Sequence, residues 1–191
     1  MRYKTHLTTT LVLGLPLMAA THEISLLNLC ALEFGSLLPD IDHPASFLGR
    51  RVEMISEITN KTFGHRGGTH SFLGMLVVFI ICSFIQLKYL NNEAQNITFW
   101  LVFGFFCHLL EDSFSKEGIH WFWPYKGKRH YHKLIYYKTG GLSEYLILGC
   151  MCCLLLIELR LLWLGTLNNV VPANKILKLQ AFFSKLQHIF D

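Results

Sequence analysis

Five uninterrupted apolar stretches constrain this chain more than any other feature. They read "LTTTLVLGLPLMAA" (residues 7–20), "ISLLNLCALEFGSLL" (24–38), "FLGMLVVFIICSFIQLKYL" (72–90), "ITFWLVFGFFCHLL" (97–110) and "EYLILGCMCCLLLIELRLLWLG" (144–165). Runs this long favour helix over strand. A bilayer core asks for about 20 apolar helical residues, which the third and fifth stretches supply on their own. The other three are shorter, and are expected to be deeply buried or only partly embedded. A mean hydropathy of +0.36 across 191 residues fits a membrane bundle better than a soluble domain. The expected fold is all-α: a membrane-embedded bundle of about five apolar helices, with its polar loops at one face.

The basic residues orient that bundle. Arg2 and Lys4 precede the first stretch; Arg50, Arg51, Lys61 and Arg66 lie between the second and third; Lys116, Lys126, Lys128, Arg129, Lys133 and Lys138 lie between the fourth and fifth. The short connections carry no Lys or Arg. Five spans with a cytoplasmic N-terminus therefore keep twelve of the seventeen basic residues inside. This predicts a multi-pass protein of the bacterial inner membrane. A signal peptide is the lesser reading of the N-terminus, because "LMAA" makes a poor cleavage site. The tail repeats Ile176, Leu179, Phe183, Leu186 and Phe190 at helical spacing, which predicts an amphipathic helix on the membrane surface. Residues 1–165 thus form the embedded unit and 166–191 the tail. A net charge of +4 without a dense basic run argues against nucleic acid. The six cysteines sit inside apolar stretches without a CxxC pair, as small hydrophobes. "WFWPYKGKRHYH" (121–132) mixes aromatics with bases and suits an anchor on anionic lipid.

Polar residues collect at the ends that this topology places in the cytoplasm. The second stretch runs into "PDIDHP", with Asp40, Asp42 and His43 in what the two prolines suggest is an extended turn. The third is preceded by "FGHRGGTHS". On one helix His65 and His70 would stand about 140° apart, so the glycines around them predict a loop that turns both imidazoles to one point. The fourth ends in "HLLED", where His108 and Asp112 share a helical face at i and i+4. His6 lies on the same side. Such a set suits a divalent metal, zinc first, with manganese or iron also compatible. Asp42, His65, His70, His108 and Asp112 are the expected ligands, with Asp40 as base or supporting carboxylate and Arg66 as a charge for the substrate. Glu33 could approach from within the membrane. Ser71 lacks the context of a nucleophile.

The blocks "LLPDIDHPASFLGRR", "FGHRGGTHS" and "GFFCHLLEDSFSKEGIHWFWP", with His6 near the start, make the chain resemble the YdjM-like family of membrane-bound, predicted metal-dependent hydrolases. The resemblance implies an inner-membrane protein, in some members under DNA-damage control; His6 is expected among the metal ligands, and His43 with Arg66 at the substrate. More distantly the pattern is similar to the zinc phospholipase C and S1/P1 nuclease group. That likeness implies phosphoester chemistry, and gives Glu144 the place of a late acidic ligand or catalytic carboxylate. Partners would then be membrane lipid and a lipid-like or phosphoester substrate. The alternative is a non-enzymatic membrane protein whose polar mouth holds a structural metal or docks a partner.

Overall fold

The structure, a computed structural model, describes residues 1–63, 66–89, 96–125, 136–167, 171, 173–187 and 189. It is all-helical: α1 (Tyr3–Thr21), α2 (Leu26–Leu37), α3 (Glu53–Phe63), α4 (Phe72–Tyr89), α5 (Ile97–Ser113), α6 (Leu142–Trp163) and α7 (Ala173–Gln187). Short 3₁₀ turns at Pro39–Asp42, Gly49–Arg51 and Gly68–His70 complete it. A bridge pairs Ser115 with Tyr137. Among the described residues, two helices, α4 and α6, are long and apolar enough to cross a membrane. Their side chains face outward: of α4 only Phe79 and Ser83 are buried, and of α6 only Glu144. Apolar surface this continuous is what a helix presents to lipid.

The centre of the bundle is the α2–α5 pair. A Cβ on Gly35 would lie 2.0 Å from the Leu101 carbonyl oxygen, and one on Gly104 would lie 1.9 Å from that of Leu32. The two backbones therefore touch directly, as small residues permit in membrane-type packing. Met18, Ala31, Leu32, Phe99, Trp100 and Leu101 close around this contact. At the end away from the candidate site, Glu23 ties the α1–α2 connection to α5 and α7, accepting from Asn96 Nδ2, from Trp100 Nε1 at 2.9 Å and from Gln180 Nε2 at 2.7 Å.

Three local expectations change. Residues 39–42 form a 3₁₀ turn rather than an extended one, with Pro39 at a first helical position where its missing N–H costs nothing. The stretch before "FGHRGG" folds into α3, whose Met54, Ile55 and Ile58 are exposed. The tail helix packs Ile176 inward and sets Phe183 edge-on against Phe79 and Phe99, so one of its faces covers the bundle end. Phe190 lies outside the described residues.

Candidate metal centre

Four pieces of backbone meet at one end of the bundle: the start of α1, the 39–42 turn, the 68–70 turn and the end of α5. The Gly35–Gly104 contact is what brings α2 and α5 to register there. One turn beyond Gly104, His108 Nδ1 donates to the Ser36 carbonyl at 2.6 Å. His70 enters from the 68–70 turn, and its Nδ1 meets Asp42 Oδ2 at 3.1 Å. His6, on α1, turns its Nδ1 to Glu111 Oε2. Each imidazole thus has its Nδ1 held by an oxygen, which fixes the tautomer and leaves Nε2 for the centre.

The Nε2 atoms converge. Those of His70 and His108 stand 3.2 Å apart. Asp40 Oδ1 lies 3.7 Å from the first and 3.8 Å from the second, and Asp112 Oδ2 lies 3.8 Å and 4.0 Å from them. Donors at about 2.0–2.1 Å from a tetrahedral ion stand about 3.3 Å from one another, so these separations frame a volume of the right size. His6 Nε2 is buried, has no hydrogen-bond partner and points at Asp112 Oδ1 from 3.6 Å. Its ring stacks on His108 at 3.9 Å between centroids. Two overlapping donor sets result, His70–His108–Asp112 and His6–Asp40–His108.

Charge tells the same story. Asp42, Glu111 and Asp112 are buried and Asp40 is nearly so. Facing them, Arg66 sends Nη2 to Asp112 Oδ2 at 2.7 Å and Nη1 to Ser115 at 2.8 Å. The Met1 amino group also meets Asp112 Oδ1 at 2.7 Å. Burial alone would lower the His70 imidazole, but the Asp40 and Asp42 carboxylates outweigh it and push it up to about 9. Burial would likewise raise the Asp40 carboxyl, yet His108, His70 and His6 hold it well below the usual carboxylate range. Arg66, the Met1 amino group and a protonated His70 offset these carboxylates, and a divalent ion would take over the share of positive charge that the His70 proton supplies. The donor chemistry and the orphaned His6 nitrogen both fit one.

The geometry redistributes the expected roles. Asp40 faces the Nε2 atoms, whereas Asp42 stands behind His70 and, through Oδ2, also accepts from Arg66 N at 3.0 Å and from Thr69 Oγ1. Among the described residues of the loop, the left-handed one is Arg66 (φ 60°). His65 lies outside the described residues. Ser71 caps α4, accepting from Gly74 N at 3.2 Å and donating to Gly68 O. Glu144 is apart from the cluster: its oxygens accept from the backbone N–H groups of Arg2 and Gly140 and from Thr5 Oγ1, tying α1 to α6. Sequence reasoning missed Glu111, although "HLLED" carries it beside Asp112. It also missed Tyr137, whose hydroxyl donates to Asp112 Oδ1 at 3.1 Å.

A cavity of about 900 Å³ reaches the cluster at Asp40. Asp40 and His43 line it together with the bases Arg2, Lys4, Arg50 and Arg66 and the acids Glu117 and Glu144. The basic half of "WFWPYKGKRHYH", from residue 126 onward, lies outside the described residues.

Against this geometry, the profile of the family described as "YdjM inner membrane protein" matches residues 1–175. The chain belongs to that family. Its YdjM-family relatives include the inner membrane protein YdjM of Escherichia coli K12, 34% identical over 118 residues, which are 59% of this chain and 57% of that protein. The YvsG protein of Bacillus subtilis is 37% identical over 115 residues, covering 60% of this chain and 67% of its own. The chain thus spans little more than half of YdjM and about two thirds of YvsG. A shorter match of 71 residues, 32% identical, links it to the inner membrane protein YbcI of E. coli. No solved structure matches.

Proposed function

We propose that this YdjM-family chain is a metal-dependent phosphoester hydrolase of the bacterial inner membrane. The observation that carries the reading is the buried donor set of His70, His108 and Asp112, with Asp40 beside it on the wall of a cavity that Arg2, Lys4 and Arg50 also line. His70, His108 and Asp112, all buried, would hold the ion, with His6 completing its shell from α1. Zinc suits this mixture of imidazole and carboxylate best, and manganese or iron are compatible. When bound, such an ion makes water a competent nucleophile near neutral pH.

The chain's own residues then divide the remaining work. Asp40, ionised and partly open to the cavity, accepts a hydrogen bond from the attacking water and orients it. Its depressed pKa suits it to positioning more than to storing a proton. Arg66, anchored on Asp112 and Ser115, offers charge to the phosphoryl oxygens. Asp42, Glu111 and the Ser36 carbonyl keep the three imidazoles aimed.

This reading places five apolar helices, α1, α2, α4, α5 and α6, in the membrane, with the cluster at the cytoplasmic face. The positive-inside count and the names of the relatives support that placement. The test pairs metal analysis of detergent-purified protein with assays on phosphate esters. Wild type should carry metal and turn over, and the His70→Ala, His108→Ala double variant should do neither. Equal, near-zero metal in both would sink the proposal. Bound metal without turnover would favour the non-enzymatic alternative.

A further inference from the structure

A second cavity, about 440 Å³, lies on the other side of Met1 from the basic one. Its walls are Leu13 of α1, Leu110 and Phe114 at the end of α5, Tyr136, and Leu146 and Ile147 of α6. Among the described residues, Thr9, Glu111, Ser143, Tyr136 and Tyr137 add polar groups to this lining.

The first turns of α6 separate the two spaces. Glu144, Tyr145 and Leu148 face the basic cavity, while Ser143, Leu146 and Ile147 face the apolar one. Met1 lines both, and its amino group touches Asp112. Glu111 and Tyr137, on the apolar side, bond His6 and Asp112 of the cluster. The two cavities therefore approach the cluster from two sides, the basic one at Asp40 and the apolar one at Glu111 and Tyr137, with Met1 as their common wall. Leu146 and Ile147 begin only about 6–8 Å along α6 from its first residue. That depth sits just beneath a membrane interface if α6 crosses the bilayer.

A charged chamber sharing a wall with an apolar one at interface depth matches an amphiphile. We propose that the substrate is a membrane lipid carrying a phosphate, its headgroup among Arg2, Lys4 and Arg50 and its hydrocarbon chain along Leu13, Leu110, Leu146 and Ile147. The inference rests on the phosphoester reading above and adds the chain subsite to it. Their common wall at Met1 is what commits the apolar cavity to this occupant, since an ordinary annular lipid would have no reason to set its phosphate on the basic side of that wall.

The experiment compares binding of hexadecyl phosphate, butyl phosphate and inorganic phosphate to the purified full chain in nanodiscs. Four forms are measured: wild type, Leu146→Trp, Leu13→Trp and Leu156→Trp. Leu146 and Leu13 are 62% and 41% exposed, so a tryptophan fills the cavity without entering the core. Leu156, 68% exposed and remote from both cavities, controls for a changed lipid surface. The preference of wild type for the hexadecyl over the butyl ester should fall at least about tenfold in both cavity variants, and stay intact in Leu156→Trp. An unchanged preference in both cavity variants, with all three phosphates still bound, overturns the chain subsite and leaves the phosphoester reading standing. Failure of wild type to bind any of the three overturns both.

Discussion

Each imidazole of the cluster is controlled from behind, and the atom behind it makes a prediction. Asp42 accepts from His70 Nδ1, so Asp42→Asn keeps the shape and removes the charge that aims and sharpens the ring. Metal affinity should fall about 10- to 100-fold, as for other supporting carboxylates, whereas Asp112→Asn, which alters a direct donor, should cost more. Competition against a chelator of known strength separates the two; equal losses would mean that Asp42 is itself a ligand. His70 also sets a pH dependence. Without metal its pKa is pushed up to about 9, so the ion must displace a proton throughout the physiological range. Affinity measured against that chelator should therefore climb by up to about tenfold per pH unit from 6 to 9 and level off above. A flat profile between pH 6 and 9 would show that His70 does not ligate. Asp40 and Asp42 illustrate what a sequence conceals. Both acids were visible, but a 3₁₀ turn rotates side chains two positions apart by about 240°, and that rotation decides which carboxylate faces the centre. His108 and Asp112 were legible for the opposite reason: on an ordinary α-helix, i and i+4 share a face.

Among the elements, the α2–α5 contact determines whether the site exists. Gly104→Ala drives a methyl into the Leu32 carbonyl, where backbone cannot yield cheaply. The variant should lose at least about 1–3 kcal/mol, and should lose metal too, because the Ser36–His108 bond depends on that approach. Gly149→Ala is the control. Nothing lies within 4 Å of its Cβ, so it should be neutral or gain about 0.5–1 kcal/mol from helix propensity. Thermal unfolding in detergent reads both; matching behaviour of the two variants would mean that α2 and α5 are not packed backbone to backbone. The apolar stretches were legible as helices because length and periodicity speak directly to backbone choice. Helix α3 was not, since a short helix of low apolar content, with Met54, Ile55 and Ile58 facing out, gives a weak signal. Its pattern of i, i+1, i+4 was nonetheless present.

At the scale of the whole molecule, the charge pattern and the cluster agree on one face. A cysteine placed at exposed Lys61 should react with a membrane-impermeant maleimide only in inverted vesicles, and one at exposed His22 only in intact spheroplasts. The reverse pattern would move the cluster to the outer face. Two helices satisfy the length and composition of a span outright; α2, with 12 residues, does not, which is why hydropathy alone could not fix the number. The basic rim was legible only in part, because Arg2, Lys4 and Arg50 come together through folding and not through spacing. The central claim is that this end of the bundle holds a divalent ion, and anomalous scattering at the metal's absorption edge tests it most directly. The account predicts one or more peaks within about 2.0–2.2 Å of the Nε2 atoms of His70 and His108, sharing Asp112. A peak bound through Nδ1, or none at all in protein purified without chelator, would contradict it.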